Sequence, residues 1–248
     1  LGSGYRNLRA TTLVNMSVAE GALGRYESEI RHIEEAVAIF HSLYGGDGQE
    51  YLASLNTLGA AYGGIGQFEK GKEAVLKALA GFRRIGLADT EAVAIGVFNL
   101  SALQRELKEG DGGLENKRRA IGILEKRFGT RHPDLPRMLN GLALQLHEVG
   151  EMSEARTRFV ASLQLSNEIF GPNHPDSALT WFNLASLEMD EKRLVEAMDG
   201  YMRTAALSIA AGRPETLWTA LSGMREVSVR MNERDAAIFY GKLAVNVL

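Results

Sequence analysis

Apolar residues recur along this chain with two superimposed periods. Within short segments, such as residues 55–62, they fall about three and four positions apart. This spacing predicts amphipathic α-helices, because strands would alternate with a period of two. Over longer distances the pattern returns every 42 residues, as it does at Ala36, Ala78 and Ala120. A repeat of this length predicts an array of helical hairpins, each with two antiparallel helices joined by a short turn.

The turns between paired helices are marked by glycine. Gly24, Gly66 and Gly150 occupy one phase of the repeat, and Lys108 and Lys192 occupy the same phase in the third and fifth copies. Glycine at the end of a helix predicts a left-handed cap, a conformation that costs glycine nothing. We therefore expect the chain to reverse direction at each of these positions.

The repeat predicts one all-α domain at residues 4–248, an α-α superhelix of five to six hairpins, with residues 1–3 interpreted as a cloning remnant. The predicted repeats are residues 10–48, 52–90, 94–131, 136–173, 178–213 and 218–248. One hairpin buries too little apolar surface to offset the entropy of ordering its residues, so neighbouring hairpins have to stack. We expect the first helices to form a concave inner face and the second helices an outer one.

Particular residues connect this pattern to a known family. The residues that carry the resemblance are Trp181, Leu184, Ala185, Leu194, Ala197 and Tyr201. Their arrangement resembles the tetratricopeptide repeat. The 42-residue spacing, with the linkers 131–134 and 173–176, resembles the long variant found in kinesin light chains and many bacterial proteins. The resemblance implies a non-catalytic scaffold that binds a protein or peptide. The third repeat departs from the pattern, since Gly110 stands where a bulky residue is usual.

A narrower resemblance lies near the end of the sequence. Residues 236–246 are similar to the last repeat before the caspase-like domain of bacterial tetratricopeptide–CHAT proteases. This resemblance implies a regulatory or sensing region of a larger protein, with a catalytic domain beyond residue 248 that the repeats would contact. That family uses a cysteine nucleophile and this sequence has no cysteine, so no catalytic residue is expected within it.

Composition narrows the classes of function. A net charge of −3 gives no electrostatic reason to expect binding to nucleic acid or to an anionic membrane. The absence of cysteine excludes disulfides and thiolate metal sites and favours the cytoplasm. Residues 66–73 match a phosphate-binding loop except at Glu73, where magnesium would need Ser or Thr. We therefore predict no enzyme activity, no metal and no cofactor.

Asparagines recur in the first helix of each of the first five repeats. Asn15, Asn99 and Asn183 share one phase, and Asn56 and Asn140 lie one residue earlier. In the family that the chain resembles, this part of the first helix lines the groove. An amide both donates and accepts hydrogen bonds, so it can hold the backbone of an extended peptide. The alternative is that these amides tie adjacent hairpins together or face water.

Aromatic and basic residues beside the asparagines complete the predicted partner-binding surface, because such side chains carry much of the binding energy at interfaces. They are Phe98, Arg105, Arg137, His147 and Phe182. The acidic residues Glu106, Glu148 and Asp190 lie nearby, which argues against a cationic clamp for a C-terminal carboxylate. The competing hypothesis is an adaptor or architectural module that self-associates through the ends of the array.

Overall fold

The computed structural model describes residues 2–109 and 112–247, and these residues form twelve α-helices without any strand. The helices are α1 (Ser3–Ala22), α2 (Tyr26–Tyr44), α3 (Gln49–Gly64), α4 (Phe68–Arg84), α5 (Glu91–Glu106), α6 (Gly112–Phe128), α7 (Leu135–Glu148), α8 (Met152–Phe170), α9 (Ser177–Asp190), α10 (Leu194–Ala211), α11 (Pro214–Arg230) and α12 (Arg234–Val245). Each odd-numbered helix packs against the helix that follows it, so the chain forms six helical hairpins. The all-α hairpin fold predicted from the sequence is confirmed. None of the helices described has the length and apolar character needed to cross a bilayer.

The turns inside the hairpins have the predicted left-handed geometry. Gly24, Gly66 and Gly150 have φ angles of 71°, 76° and 88°. Lys108 and Lys192 adopt the same conformation, with φ of 55° and 61°. A lysine in this region carries a steric cost that glycine avoids, so the position of the turn is set by the hairpin rather than by glycine alone.

The hairpins group into two compact units, Leu1–Gly129 (unit 1) and Thr130–Leu248 (unit 2). In unit 1 helix α3 contacts both α1 and α5, and in unit 2 helix α9 contacts both α7 and α11. The first helices of consecutive hairpins therefore lie side by side in each unit, and we call this surface the first-helix face. The prediction of one continuous domain over residues 4–248 stays a prediction. Gly110, the irregular position of the third repeat, lies outside the described residues.

Unit 1 depends on very close packing between the helices of its second hairpin. A Cβ atom on Gly59 would lie 2.4 Å from the Cγ2 atom of Val75 and 2.8 Å from the carbonyl oxygen of Gly71. No side chain fits into such a gap, so glycine allows α3 and α4 to approach each other closely. Val75 is fully buried there and joins Leu100 and Leu103 in an apolar cluster.

Unit 2 combines an apolar core with an ion cluster around one buried glutamate. Phe159 is fully buried on α8. Glu188 on α9 is 5% exposed, and its carboxylate accepts hydrogen bonds from Arg156 on α8 at 2.8 and 3.0 Å. Arg193, in the turn after α9, places its Nε atom 3.2 Å from the same carboxylate. These contacts join the hairpin α7–α8 to the hairpin α9–α10.

Candidate functional site

A cavity of about 430 Å³ opens beside α3 and α5 on the first-helix face of unit 1. It is lined by residues that include Ala60, Gly63, Gly64, Phe68, Asn99 and Glu106. The cavity exists because the last turns of α3 carry almost no side chains. A Cβ atom on Gly64 would meet nothing nearer than the ring of Tyr26 at 3.8 Å.

Asn99 is the predicted binding residue that this cavity contains. It is partly exposed on α5, so its amide is accessible from solvent. Phe68 supplies an apolar ring and Glu106 a carboxylate in the same lining. The Nη2 atom of Arg105 donates a hydrogen bond of 2.6 Å to Glu106, which offsets part of the negative charge. The site therefore offers an apolar surface, an amide and a paired carboxylate next to one another.

Asn56 has a different environment from Asn99. It is 3% exposed, and its Nδ2 atom donates a 2.7 Å hydrogen bond to the carbonyl oxygen of Ala92. Its Oδ1 atom is buried and has no hydrogen-bond partner among the residues described. This amide joins α3 to the start of α5, as in the alternative where asparagines tie adjacent hairpins together.

Asn140 and Asn183 are also engaged inside the protein. The Nδ2 atom of Asn183 donates a 3.1 Å hydrogen bond to the Oδ1 atom of Asn140, and the two residues are 7% and 9% exposed. Their contact links α7 to α9 in unit 2. Asn15, by contrast, is exposed on α1. The structure therefore leaves Asn15 and Asn99 as the accessible members of the asparagine set.

The larger predicted contact residues are distributed over both units. Phe98 is 7% exposed in unit 1. Phe182 is half-buried in unit 2, with its ring centroid 5.6 Å from that of Tyr201. His147 places Nε2 2.8 Å from Oδ2 of Asp190, and Arg137 is exposed. Phe98 is accordingly a core residue, whereas the other three remain accessible to different degrees.

Sequence reasoning did not identify the small residues that make the cavity. Ala60, Gly63 and Gly64 stand in the last turns of α3, where a helix gains nothing in stability from glycine. Two adjacent glycines inside a predicted helix were the available clue. Their role becomes evident only from the structure, because α5 packs beside α3 and the missing side chains leave a cavity there.

The architecture of consecutive hairpins defines a helical repeat protein. The family model of the tetratricopeptide repeat matches residues 8–84 and 134–209, which is more than half of the chain. The chain belongs to the tetratricopeptide repeat family, as its sequence predicted. Members of this family act as protein-binding scaffolds.

Curated relatives are much longer than this chain. This chain is 25% identical over 173 residues to the "Clustered mitochondria protein homolog" of Emericella nidulans, and the match covers 68% of this chain and 14% of that protein. The homologue from Coccidioides immitis is 31% identical over 120 residues, covering 48% of this chain and 9% of that protein. The chain thus spans about one seventh of the length of the relatives that it matches, or less.

Solved structures share the fold at low sequence identity. BtubC (BKLC) from P. vanneervenii matches with a TM-score of 0.78 and 16% identity, covering 90% of both chains. A putative kinesin light chain from Podosopora anserina, with nearly identical TPR-like repeats, has a TM-score of 0.61 and 17% identity, covering 84% of this chain and 98% of that one. A Rap protein complexed with Competence and Sporulation Factor has a TM-score of 0.71 and 13% identity, covering 97% and 75%. These likenesses confirm the fold, including its kinesin-light-chain-like type.

Proposed function

We propose that the chain binds a peptide or protein segment on the first-helix face of unit 1, with the cavity beside Asn99 as its anchor. The observation that carries this proposal is the joint presence of an open apolar cavity and an accessible amide. A side chain of the partner would enter the cavity and contact Phe68. The Asn99 amide would then hold the partner's backbone, because it both donates and accepts hydrogen bonds.

The energy available at this anchor is modest. Burial of one large apolar side chain contributes about 2 kcal/mol, and one hydrogen bond adds about 1 kcal/mol. Binding in the micromolar range needs about 8 kcal/mol, so a partner has to contact more of the first-helix face than the cavity alone. The similarity in fold between this chain and a Rap protein solved in complex with Competence and Sporulation Factor supports this proposal.

The experiment is a selection of peptides from a random library on the purified chain, followed by affinity measurements on two matched variants. Ala60→Arg places a large side chain at the exposed edge of the cavity. Ala80→Arg makes the same change at an exposed position on α4, which does not line the cavity. We expect Ala60→Arg to weaken binding of the selected peptides at least tenfold and Ala80→Arg to leave it unchanged. Equal binding by both variants would refute the anchor site.

Self-association is the second candidate function, and exposed apolar residues on α12 favour it. Phe239 is 56% exposed and Val245 is 75% exposed. Analytical ultracentrifugation measures the mass directly. A concentration-dependent dimer that Val245→Glu dissociates would support this function, and a monomer at all concentrations would exclude it.

Three finer predictions concern the context of the chain. The first is that the chain is the regulatory or sensing region of a larger protein; the relatives that it matches are longer proteins, of which it covers 14% in the example from Emericella nidulans. The link to a CHAT-type protease depends on residues 236–246 alone, and together with a cytoplasmic location it stays a prediction. Sequencing the gene beyond the codon for residue 248 tests the link to a CHAT-type protease, since a CHAT domain would carry a paired histidine and cysteine, and a stop codon or further repeats would refute it.

A further inference from the structure

Oppositely charged residues 37 positions apart recur along the array. The first residue of each pair lies just before a first helix, and the second lies near the end of the second helix of the same hairpin. Three of these pairs are closed by an ion pair, with nitrogen–oxygen distances of 2.8, 3.2 and 3.2 Å. They are Asp47 with Arg84, Arg131 with Glu168, and Asp176 with Arg213.

The equivalent pair of the third hairpin is open. Asp89 and Lys126 have the same spacing and opposite charges, yet neither forms an ion pair or hydrogen bond with any residue that the structure describes. Both line a cavity of about 500 Å³ in unit 1. Its remaining lining comes from α6 and consists of Arg119, Gly122, Ile123 and Arg127. The cavity shares no residue with the one beside Asn99 and contains no residue of a first helix.

The cavity in the third hairpin is positively charged. Arg119 and Lys126 are exposed and lie two turns apart on one side of α6, which separates their Cα atoms by about 10 Å. Arg119 also has no ion pair within residues 2–109 and 112–247. Between them, a Cβ atom on Gly122 would meet nothing within 4 Å, so the space between the two cations is open. With Arg127, the lining holds three cations against the single carboxylate of Asp89.

We propose that this cavity binds a phosphorylated side chain of a protein partner. A phosphomonoester carries a charge of about −1.5 to −2 at neutral pH, which matches the excess of positive charge in the lining. The guanidinium of Arg119 can hold two phosphate oxygens at once, and the ammonium of Lys126 can hold a third. Ile123 offers apolar contact to the carbon atoms of the phosphorylated residue. A protein is the expected source of the phosphate, because the family consists of protein-binding scaffolds.

The test is a selection on the whole chain from a random peptide library with a central phosphoserine, followed by fluorescence anisotropy of the selected peptides. Each selected peptide is also made with glutamate in place of phosphoserine. We expect the phosphoserine form to bind at least tenfold more tightly than the glutamate form. Lys126→Gln should weaken binding about tenfold, as expected for a hydrogen bond between charged groups. Lys77→Gln makes the same change at an exposed position of α4 outside the cavity lining and should leave binding unchanged.

Further variants give the test a second direction. Asp89→Asn removes the one repelling charge of the lining and should tighten binding about threefold. Arg119→Gln should weaken binding, which keeps the test decisive if Lys126→Gln fails to fold by circular dichroism. Ala60→Arg blocks the Asn99 cavity and should have no effect, so the two binding sites are distinguished.

Four results would overturn the proposal. They are failure of the library to yield phosphoserine-dependent binders, equal binding of the glutamate forms, unchanged binding in both Lys126→Gln and Arg119→Gln, and displacement of the peptides by an equal concentration of inorganic phosphate. The second result would indicate an acidic segment that needs no phosphate, and the last would indicate a site for the free ion. A loss in Ala60→Arg without a loss in Lys126→Gln would place the peptides in the Asn99 cavity and would equally overturn it.

Discussion

Replacing Glu188 with glutamine should destabilise unit 2 by about 2–3 kcal/mol. The change keeps the shape of the side chain but removes the charge that joins α8 to α9. Glu188 is 6% exposed at its side chain and is contacted by Arg156 and Arg193. Removing one partner of a fully buried ion pair costs about 3–5 kcal/mol, because the other charge is left unpaired. Here the arginines remain partly exposed and keep other carboxylates, so we expect a smaller loss, of about 2–3 kcal/mol.

The assay is equilibrium unfolding in urea, followed by circular dichroism, at neutral pH and moderate salt. Glu196→Gln is the matched control, since Glu196 is an exposed partner of Arg193. Exposed ion pairs contribute little to stability, so this control should unfold close to wild type. If Glu188→Gln unfolds within about 0.5 kcal/mol of wild type, the buried cluster does not hold the two hairpins together, and its stabilising role is refuted.

Two further changes test the turns and the effect of burial on charge. Lys192→Gly should raise the free energy of unfolding by about 1 kcal/mol, because φ at this position is 61°, and Lys192→Ala, which keeps the strain, should not. Burial raises the pKa of the Glu29 carboxyl above its usual 4.5, so the folded state favours the protonated form. The stabilisation that the folded state gains from the protonated Glu29 carboxyl is complete below the pKa of this group in the unfolded chain. It is lost as pH rises through the pKa of the group in the folded state. Glu29→Gln should therefore be more stable than wild type at neutral pH, and thermal unfolding should show this advantage disappear in acid.

The fold could be predicted from the sequence because the 42-residue period follows from the way in which hairpins stack. One hairpin buries too little surface to fold alone, so the same apolar positions have to return in each copy. Turn positions were equally predictable: Gly66 and Lys108 occupy one phase, and both have positive φ. At Gly66 the residue type itself indicated a turn. At Lys108 only the position within the 42-residue repeat indicated it.

The binding surface was less predictable, because phase does not determine burial. Asn99 and Asn183 occupy the same phase, yet Asn99 lines a cavity and Asn183 is buried against Asn140. The family pattern indicates where a side chain leaves the helix. It does not indicate what the neighbouring hairpin places opposite that side chain. Asparagine suits both situations, because its amide can bind a ligand or join two helices.

One position explains why the two units use equivalent asparagines differently. Asn56 and Asn140 share a phase of the repeat, as do Gly96 and Thr180. A Cβ atom on Gly96 would lie 2.7 Å from the Oδ1 atom of Asn56, so only glycine leaves room for Asn56 to reach the backbone of α5. In unit 2 the Thr180 side chain stands at that phase, and Asn140 bonds Asn183 instead. Thr180 lines a cavity in unit 2 together with Asn140. A single difference at one phase thus accompanies a change in the partner of the equivalent asparagine, from the backbone of α5 in unit 1 to the side chain of Asn183 in unit 2, while both asparagines still join adjacent hairpins.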